Sequence, residues 1–257
     1  MPIHPTTLIH PSLQLPPDLE IGPYSVVDEG IKLGNGVRIG PFCHLYPGVR
    51  LGDGVSLSDG VVLGNTPQDL KYRGEKTLVE IGSGTVLREY VTVNRGTAAT
   101  GKTSIGSNCL IMAYTHVAHD CSIGDNVIIA NGVQMGGHVS IGSASVISGM
   151  TGIHQFTTIG PGVFVGGGLR VDKDIPPFSK AMGEPLAWAG VNEIGLEKMG
   201  FGDKERKELK EFYRRINGVG SESVAKEFAD HHALMVIFRE FYGKSSRGLV
   251  GRRESPH

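Results

Sequence analysis

The sequence predicts a mainly β protein, built on a parallel β-helix and followed by α-helices near the C-terminus. The first observation is a period of six, because every sixth residue from Ile105 to Val171 is aliphatic. Such a period fits neither an amphipathic helix nor an alternating strand, and it indicates a repeat architecture. The second is a small or β-branched residue four positions after each aliphatic one, such as Cys109 and Thr115. The third is the abundance of Gly, Asn and Asp between them, which suits tight corners.

These spacings predict the geometry of one coil, and we call one period of the repeat a hexad. The residue four positions after an aliphatic one lies two positions before the next, so both side chains share one face of a short strand and point inward. Three hexads therefore form three strands and three corners, which close one triangular coil. Successive coils are expected to stack at roughly 4.8 Å, the distance between neighbouring strands.

The repeat begins at the N-terminus, where Ile3, Ile9 and Leu15 already occupy the aliphatic position. Two polar segments, 64–80 and 94–104, interrupt it, and a solenoid accommodates such insertions as loops that leave one corner. Long loops on a regular scaffold often carry function, and a plain surface loop is the alternative for each. We predict a β-helix over residues 1–189 with loop insertions at 64–80 and 94–104.

The composition changes after Val171, and residues 190–257 are predicted to form a C-terminal helical domain. Segments 203–217 and 223–242 place apolar residues at helical spacing, with Asp203 as a plausible N-cap and Gly218 as a stop. The domain holds 13 of the 25 Lys and Arg against 11 acidic residues. Solvated helix faces would explain this charge, and docking of an acidic carrier protein is the sharper alternative.

Composition also limits the class of protein. The chain has 257 residues, 38 of them Gly, and a formal net charge of −1, which gives no support to a nucleic-acid or membrane partner. The N-terminus lacks the pattern of a signal peptide, and no apolar run approaches the ~20 residues of a membrane span. We expect a cytoplasmic protein with no integral membrane segment.

The three cysteines, Cys43, Cys109 and Cys121, all occupy the inward position four residues after an aliphatic one. A free cysteine commonly behaves as a small buried hydrophobe, whereas a nucleophilic cysteine needs an accessible thiolate. We expect all three to be reduced and buried, and an acyl-cysteine intermediate is disfavoured.

A cluster of histidines after residue 110 lies outside the inward positions. A solvent-facing histidine is commonly incidental, but the register sets this group apart. His119, Gly137 and Gln155 follow one another at intervals of three hexads and therefore occupy one corner of three consecutive coils. Convergent polar groups of this kind are the usual sign of a site. The cluster comprises His116, His119, His138 and His154.

Several motifs accompany this column: QDLKYRGE (68–75), LIMAYTHVAHDCSIG (110–124), GGHVSIG (136–142), GIHQF (152–156) and RGLV (247–250). Together they resemble the UDP-N-acetylglucosamine O-acyltransferases, hexapeptide-repeat enzymes that open lipid A biosynthesis, over nearly the whole chain. The resemblance implies a left-handed β-helix, a handedness that ordinary right-handed crossovers would not suggest. It also implies a homotrimer with sites between subunits. The implied reaction moves an (R)-3-hydroxyacyl group from acyl carrier protein to the 3-position of UDP-N-acetylglucosamine, without a cofactor.

The chemistry of the column agrees with such a transfer. A neutral imidazole can take a proton from a sugar hydroxyl at pH 7, and His119 is the predicted general base. The resemblance favours Asp120 as the group that orients the ring, although adjacent residues need not face each other. The N–H of Gly137 is the predicted donor to a tetrahedral oxyanion. The residues predicted to bind donor or sugar are His116, His138, His154 and Gln155.

The resemblance carries further roles onto matching positions. It implies that Asp69 and Lys71 in QDLKY contact the sugar nucleotide and that Asn192 contacts it from the helical domain. Gly167 matches a position that tends to be Gly in family members for longer acyl chains and Met in those for shorter ones. It lies eight hexads after His119, which is about 13 Å along the axis at ~4.8 Å per coil. A simple corner glycine is the alternative for Gly167.

The chain also departs from the family pattern. Two adjacent Arg commonly precede the Gly-Phe of the helical domain, and here Lys198 and Met199 occupy those positions. Lys198 is thus the remaining candidate cation for substrate binding. The acidic residue expected two positions after Asn192 is replaced by Ile194. The departures leave open an acceptor with a 3-amino group.

Two alternatives from other classes stay open. A trimeric γ-class carbonic anhydrase also uses a left-handed β-helix, with three His around zinc, but His116 and His119 lack a defensible metal spacing, so no metal is predicted. A non-catalytic scaffold would show the repeat without the histidine column. The N-acyltransferase of the same pathway is the nearest relative in chemistry, and it would need an additional N-terminal uridine-binding domain.

Overall fold

A computed structural model describes residues 3–215 and 232–251 of the chain. The chain winds through three parallel sheets in a fixed order, which we number one, two and three, with corners 1–2, 2–3 and 3–1 between them. Sheet one contains Leu8–Ile9, Val26–Val27, His44–Leu45, Val62–Asn65, Thr92–Asn94, His116–Val117, Gln134–Met135, Gly152–Ile153 and Arg170–Val171. Sheet two contains Lys32–Leu33, Val49–Leu51, Leu78–Ile81, Lys102–Ile105, Ser122–Ile123, Ser140–Ile141 and Thr158–Ile159. Sheet three contains Glu20–Ile21, Arg38–Ile39, Ser56–Leu57, Val86–Leu87, Leu110–Ile111, Ile128–Ile129, Val146–Ile147, Phe164–Val165, Ser179–Met182 and Ala187–Val191.

The period of the sequence sets the core of this β-helix. Ile111, Ile129 and Ile147 pair in register on successive coils of sheet three, and their side chains are fully buried. The stack of aliphatic side chains continues through all three sheets and forms one hydrophobic core along the axis. The parallel β-helix predicted from the period is confirmed.

A second inward row consists of the small residues four positions after the aliphatic ones. Their polar atoms donate hydrogen bonds to carbonyls of the next coil, as Ser25 Oγ does to Gly40 O at 2.8 Å. The free cysteines belong to this row, and Cys109 Sγ lies 3.1 Å from Gly124 O. The predicted burial of all three cysteines is confirmed, and none of them is paired in a disulfide.

Both long insertions leave the 1–2 corner. Regular pairing joins strands three hexads apart, as from Leu110 to Ile128. On sheet one, however, Val62 pairs with Thr92, five hexads along the chain, and Thr92 pairs with His116, four hexads along. The excursions themselves span residues 66–77 and 95–101, which we call the first loop and the second loop. They are shorter than the polar segments in the sequence because Leu78–Ile81 and Lys102–Ile105 are strands, and part of their polarity comes from outward-facing residues such as Glu80 and Lys102.

The last coil is covered by an antiparallel pair, Ser179–Met182 with Ala187–Val191, and then by helices. These are α1 (Glu193–Lys198), α2 (Asp203–Arg215) and α3 (His232–Lys244). The helices pack through a separate cluster that includes Phe178, Leu209 and Phe238. The predicted stop at Gly218 and the start of the second predicted helix lie outside the described residues. In the described part of the chain, no helix is both long and apolar enough to cross a bilayer.

Buried Asp174 binds the C-terminal segment 245–247 to the β-helix through hydrogen bonds. Its Oδ1 accepts the Thr158 N–H at 2.6 Å, and its Oδ2 accepts bonds at 2.8 Å from Ser245 Oγ and from the Ser246 and Arg247 N–H groups. The motif RGLV therefore marks the segment that docks on this carboxylate.

Candidate active site

The 1–2 corner brings together His119, Asp120 and His138. The Nδ1 of His119 lies 2.7 Å from Asp120 Oδ2, and the Nε2 of His138 lies 3.7 Å from the same oxygen. Asp120 adopts a left-handed φ of 61°, which turns the chain at the corner so that its carboxylate meets the ring of the preceding residue. The Asp120 side chain is fully buried and that of His119 is 13% exposed. The pair is therefore shielded from most solvent.

The carboxylate of Asp120 is held by the second loop. Thr97 donates its N–H to Oδ1 at 2.9 Å and its hydroxyl to Oδ2 at 2.8 Å, and Thr100 donates its hydroxyl to Oδ1. Burial alone would raise the pKa of Asp120, but the hydrogen bonds from Thr100, His119 and Thr97 outweigh it and lower the pKa to about 2. An ionised carboxylate only accepts hydrogen bonds, so we infer that His119 carries its proton on Nδ1. Its Nε2 is then free to accept a proton.

Gly137 lies directly beneath the His119 ring, one coil further along. A Cβ at this position would lie 2.5 Å from His119 Cε1 and 2.6 Å from Nε2, closer than real atoms approach. The Gly137 carbonyl accepts a hydrogen bond from Phe156, while the Gly137 N–H has no acceptor within residues 3–215 and 232–251. Sequence reasoning found the N–H but missed the packing role, for which the signal is a glycine one coil after a histidine.

The remaining histidines flank this centre. The Nδ1 of His116 lies 2.7 Å from Thr92 Oγ1, and the pKa of His116 is lowered by burial and by repulsion from His119 when that ring is protonated. His116 is therefore a neutral side chain at neutral pH. His154, two coils further along the same corner, donates from Nδ1 to the Gln155 carbonyl at 3.1 Å.

Phe156 is a residue of the site that sequence reasoning missed. Its ring stacks on His138 with centroids 4.5 Å apart and an interplanar angle of 9°. Phe156 stands one coil of three hexads after His138, which itself stands one coil after Asp120, and all three have a left-handed φ. Because residues 120, 138 and 156 share one position of the coil, the spacing in the sequence is the signal that places Phe156 next to His138.

Asp69 and Lys71 lie on the first loop, which leaves the same corner. Asp69 Oδ1 accepts the Lys71 N–H at 2.9 Å, and the side chain of Leu70 between them is 97% exposed. Neither residue makes a hydrogen bond or ion pair with His119 in the described part of the chain. The first loop therefore leaves the corner that holds His119, and Leu70 and Lys71 on it are exposed to solvent.

Other predicted site residues lie at different corners. Asn192 is buried and donates from Nδ2 to Gly162 O at 2.8 Å, at the 2–3 corner. Lys198 is the last residue of α1, and Gly167 is an exposed residue of the 3–1 corner. A single chain does not bring these three residues to His119.

The centre also resembles a set of metal ligands. One potential ligand atom each from His119, Asp120 and His138 lie within 4.8 Å of one another. However, both oxygens of Asp120 already accept hydrogen bonds, and the His119 nitrogen that faces them carries a proton. An ion would have to replace these bonds, and the set is not the three-histidine set of the carbonic anhydrase alternative. A metal-free reaction stays a prediction.

Two family models match this chain. The hexapeptide model of bacterial transferases matches residues 30–65 and 102–137. The second domain of UDP-N-acetylglucosamine O-acyltransferase matches residues 174–250.

Curated relatives agree with these matches. The acyl-[acyl-carrier-protein]–UDP-N-acetylglucosamine O-acyltransferase of Thiobacillus denitrificans is 39% identical over 74% of this chain and 76% of its own length. The enzyme of the same name from Neisseria meningitidis serogroup C is 41% identical over 73% of this chain and 75% of its own. That of Gloeothece citriformis is 45% identical over 60% of this chain and 56% of its own.

Solved structures extend the similarity to almost the whole chain. LpxA from Acinetobacter baumannii superposes with a TM-score of 0.91 at 33% identity, covering 96% of this chain and 99% of that one. LpxA from Bacteroides fragilis, a UDP-N-acetylglucosamine acyltransferase, gives a TM-score of 0.89 at 36% identity over the same shares.

Proposed function

This chain belongs to the UDP-N-acetylglucosamine O-acyltransferase family, and we propose that it acylates the 3-hydroxyl of UDP-N-acetylglucosamine with an (R)-3-hydroxyacyl group from acyl carrier protein. This is the first step of lipid A biosynthesis, and the fold is the left-handed parallel β-helix of the family. The observation that carries the proposal is the His119–Asp120 pair, with Nδ1 2.7 Å from Oδ2 and the ring stacked over Gly137.

The mechanism follows from the free Nε2 of His119. That nitrogen takes the proton of the sugar hydroxyl as its oxygen attacks the thioester carbonyl of the donor. Asp120, ionised and buried, stabilises the imidazolium that forms, and the Gly137 N–H donates to the tetrahedral oxyanion. When the carbon–sulfur bond breaks, the proton passes from His119 to the departing thiolate. The products are the 3-O-acyl sugar nucleotide and the free carrier thiol.

The other predicted residues are assigned to substrate binding. His138, His154 and Gln155 extend the polar corner over the next two coils, and neutral His116 flanks it. Asp69 and Lys71 approach the sugar nucleotide from the first loop. The cations of α2 near Lys198 supply a surface for the acidic carrier protein.

A homotrimer would complete the site. Asn192 and Gly167 belong to the 2–3 and 3–1 corners and Lys198 lies on α1, so these residues reach a shared site with His119 only if a second copy presents them. Three flat faces suit threefold packing, and a neighbour would close the open side of the 1–2 corner. Sedimentation should give a trimer at micromolar concentration, and a fully active monomer would contradict this arrangement. The cytoplasmic location stays a prediction from the sequence.

Gly167 is proposed to limit acyl length from the neighbouring subunit. Its φ is not left-handed, unlike that of Gly168 at 68°, so the corner does not require glycine at position 167. A Cβ there would make its closest contact with Gly149 O at 3.2 Å, which calls for a small local shift. Gly167→Met should therefore fold and shift kcat/KM toward shorter acyl donors. Unchanged relative values across a donor series would remove Gly167 as the determinant.

The relatives do not favour the alternatives. The three curated relatives are all named O-acyltransferases of UDP-N-acetylglucosamine, which favours a hydroxyl acceptor over a 3-amino sugar and over carbonate chemistry. Direct comparison of UDP-N-acetylglucosamine with its 3-amino analogue as acceptors would measure the preference.

The decisive experiment replaces His119. His119→Ala should lower kcat by about 10²–10⁴-fold, the usual contribution of a general base, while the protein still binds UDP-N-acetylglucosamine in a thermal-shift assay. His44→Ala is a matched control, because His44 also pairs with a carboxylate on sheet one, Asp28 at 3.1 Å, far from the column. Near-normal turnover of a folded His119→Ala protein would refute the assignment.

A further inference from the structure

The second loop makes hydrogen bonds on two sides, and the proposed mechanism gives these hydrogen bonds no role. One side contacts the first loop, which carries Asp69 and Lys71. The other side contacts Asp120. We propose that the segment from Asn94 to Thr100 is a positioning brace that sets the acceptor-binding loop with one side and the general-base pair with the other. This inference rests on the proposed function, which it deepens by naming positioning residues.

The side toward the first loop begins with Asn94 and Arg95. Arg95 donates its Nε to Gly64 O at 2.7 Å and its backbone N–H to Asn65 O at 3.0 Å. The Nδ2 of buried Asn94 donates to Thr66 O at 3.1 Å. These bonds hold the point where the first loop leaves sheet one.

The same side also holds the other end of the first loop. Thr77 Oγ1 donates to Gly96 O at 2.6 Å, and the Gly96 N–H donates to Leu78 O at 3.3 Å. A Cβ on Gly96 would lie 2.4 Å from the Lys102 backbone, so the close approach of these two backbone segments requires glycine at position 96. Both ends of the first loop are therefore attached to one short segment, which fixes the direction in which Asp69 and Lys71 project.

The side toward the general base consists of Thr97 and Thr100, whose hydroxyls both donate to Asp120. The Asp120 N–H is held in turn by Thr103 Oγ1 at 2.9 Å. The carboxylate cannot rotate away from His119 without breaking these bonds. Because a displacement of about 1 Å at a reacting group can cost about a hundredfold in rate, this anchoring bears on turnover.

The brace also contains a buried polar atom, the side-chain oxygen of Asn94. The Oδ1 of Asn94 is buried and has no hydrogen-bond partner in the described residues, although an unsatisfied buried oxygen is costly. The Nδ2 bond of Asn94 to the first loop is thus made at a cost to the isolated chain, which fits a positioning role better than a role in stability alone.

The two sides predict different kinetic effects. Arg95→Met keeps the length of the side chain and removes the donor to Gly64, so we expect KM for UDP-N-acetylglucosamine to rise about tenfold while kcat changes less than about threefold, the sign of lost ground-state binding. Thr97→Val keeps the shape and removes the hydroxyl, so we expect kcat to fall about tenfold with KM nearly unchanged. Thr97→Ser, which keeps a hydroxyl, should restore most of kcat.

The controls keep the test decisive. Arg38→Met removes an exposed arginine that pairs with Glu20 on sheet three, and it should leave both constants unchanged. If Thr97→Val does not fold, Thr100→Val at an exposed position makes the same test. The same kinetic change in Arg95→Met and Thr97→Val, or no change in either, would overturn the brace.

A binding measurement separates the brace from the proposed function. Titration calorimetry with UDP-N-acetylglucosamine should show weaker binding for Arg95→Met than for the unmodified enzyme, whether or not acylation is observed. An unmodified enzyme that binds this nucleotide without acylating it would refute the proposed reaction and leave the Arg95 comparison valid. An enzyme that does neither would overturn both.

Discussion

Replacing Gly137 by alanine separates two roles of this residue. The backbone N–H survives the substitution, so an oxyanion donor alone would be retained. The added Cβ, however, would stand 2.5 Å from His119 Cε1, whereas carbon atoms in contact prefer at least about 3.5 Å. The imidazole must therefore move by about 1 Å, away from Gly137 and out of line with Asp120.

The expected loss follows from that displacement. The Nδ1 to Oδ2 distance is 2.7 Å, and a shift of about 1 Å breaks this bond and misaligns Nε2 with the acceptor hydroxyl. A misplacement of this size costs about a hundredfold in rate, so kcat of Gly137→Ala should fall by about that factor. The assay is steady-state acyl transfer from acyl carrier protein, with circular dichroism to verify the fold.

Gly152→Ala is the matched control. Gly152 lies on sheet one, has no left-handed φ, and its Cβ would meet nothing within 4 Å. This variant should keep kcat. If Gly137→Ala turned over within about threefold of the unmodified enzyme, the argument that the glycine makes room for the ring would be refuted.

Three further predictions concern stability and reactivity. The pKa of Asp120 is lowered from 3.8 to about 2, so its stabilisation of the folded state is complete above about pH 4 and is lost as the pH falls through 2. The shift corresponds to about 2 kcal/mol of unfolding free energy, which chemical denaturation of the enzyme and of Asp120→Asn would measure. Asp174→Ala should cost about 3 kcal/mol of unfolding free energy, because four hydrogen bonds to this buried carboxylate lose their acceptor. Thiol reagents at pH 7 should leave activity intact, because burial raises the pKa of Cys109, of Cys43 to about 11 and of Cys121 to about 12.

Each of these has a contrary outcome. A constant stability difference between the enzyme and Asp120→Asn from pH 6 to pH 2 would show that the carboxylate is not the titrating group. A loss below about 1 kcal/mol in Asp174→Ala would mean that water replaces the carboxylate without cost. Rapid inactivation by a small alkylating reagent under native conditions would place a cysteine in contact with solvent.

The fold was readable in the sequence because every coil repeats the same local rule. Ile111, Ile129 and Ile147 each appear one hexad from the next aliphatic side chain, so periodicity alone locates the core. The histidine column was readable for the same reason, since one coil has a constant length. The anchoring of Asp120 was not, because Thr97 and Thr100 lie on an insertion without a period, and only folded coordinates relate them to a residue more than one coil away in the sequence.

Roles assigned to Asn192 and Gly167 came from resemblance, and one chain places both away from His119. Spacing along the sequence identifies the corner that a residue occupies, but it says nothing of which copy of the chain presents that corner to a site. Departures such as Ile194, which is 66% exposed on α1, likewise gain meaning only beside a bound nucleotide.

The two loops at the 1–2 corner lengthen the connections between paired strands, and this also affects how the chain folds. A solenoid grows by adding one coil to the next, and most coils here close over three hexads, whereas the two coils at Thr92 close over five and four. Relative to a regular coil, this adds about 0.5 and about 0.3 kcal/mol of closure entropy. Folding that starts at either end of the β-helix would therefore slow at the coils around Thr92, and the two halves of the β-helix would join there last. Amide hydrogen exchange should find its earliest sub-global opening at the strands around Thr92, so that the coils which hold the general base are the last to become continuous and the first to separate.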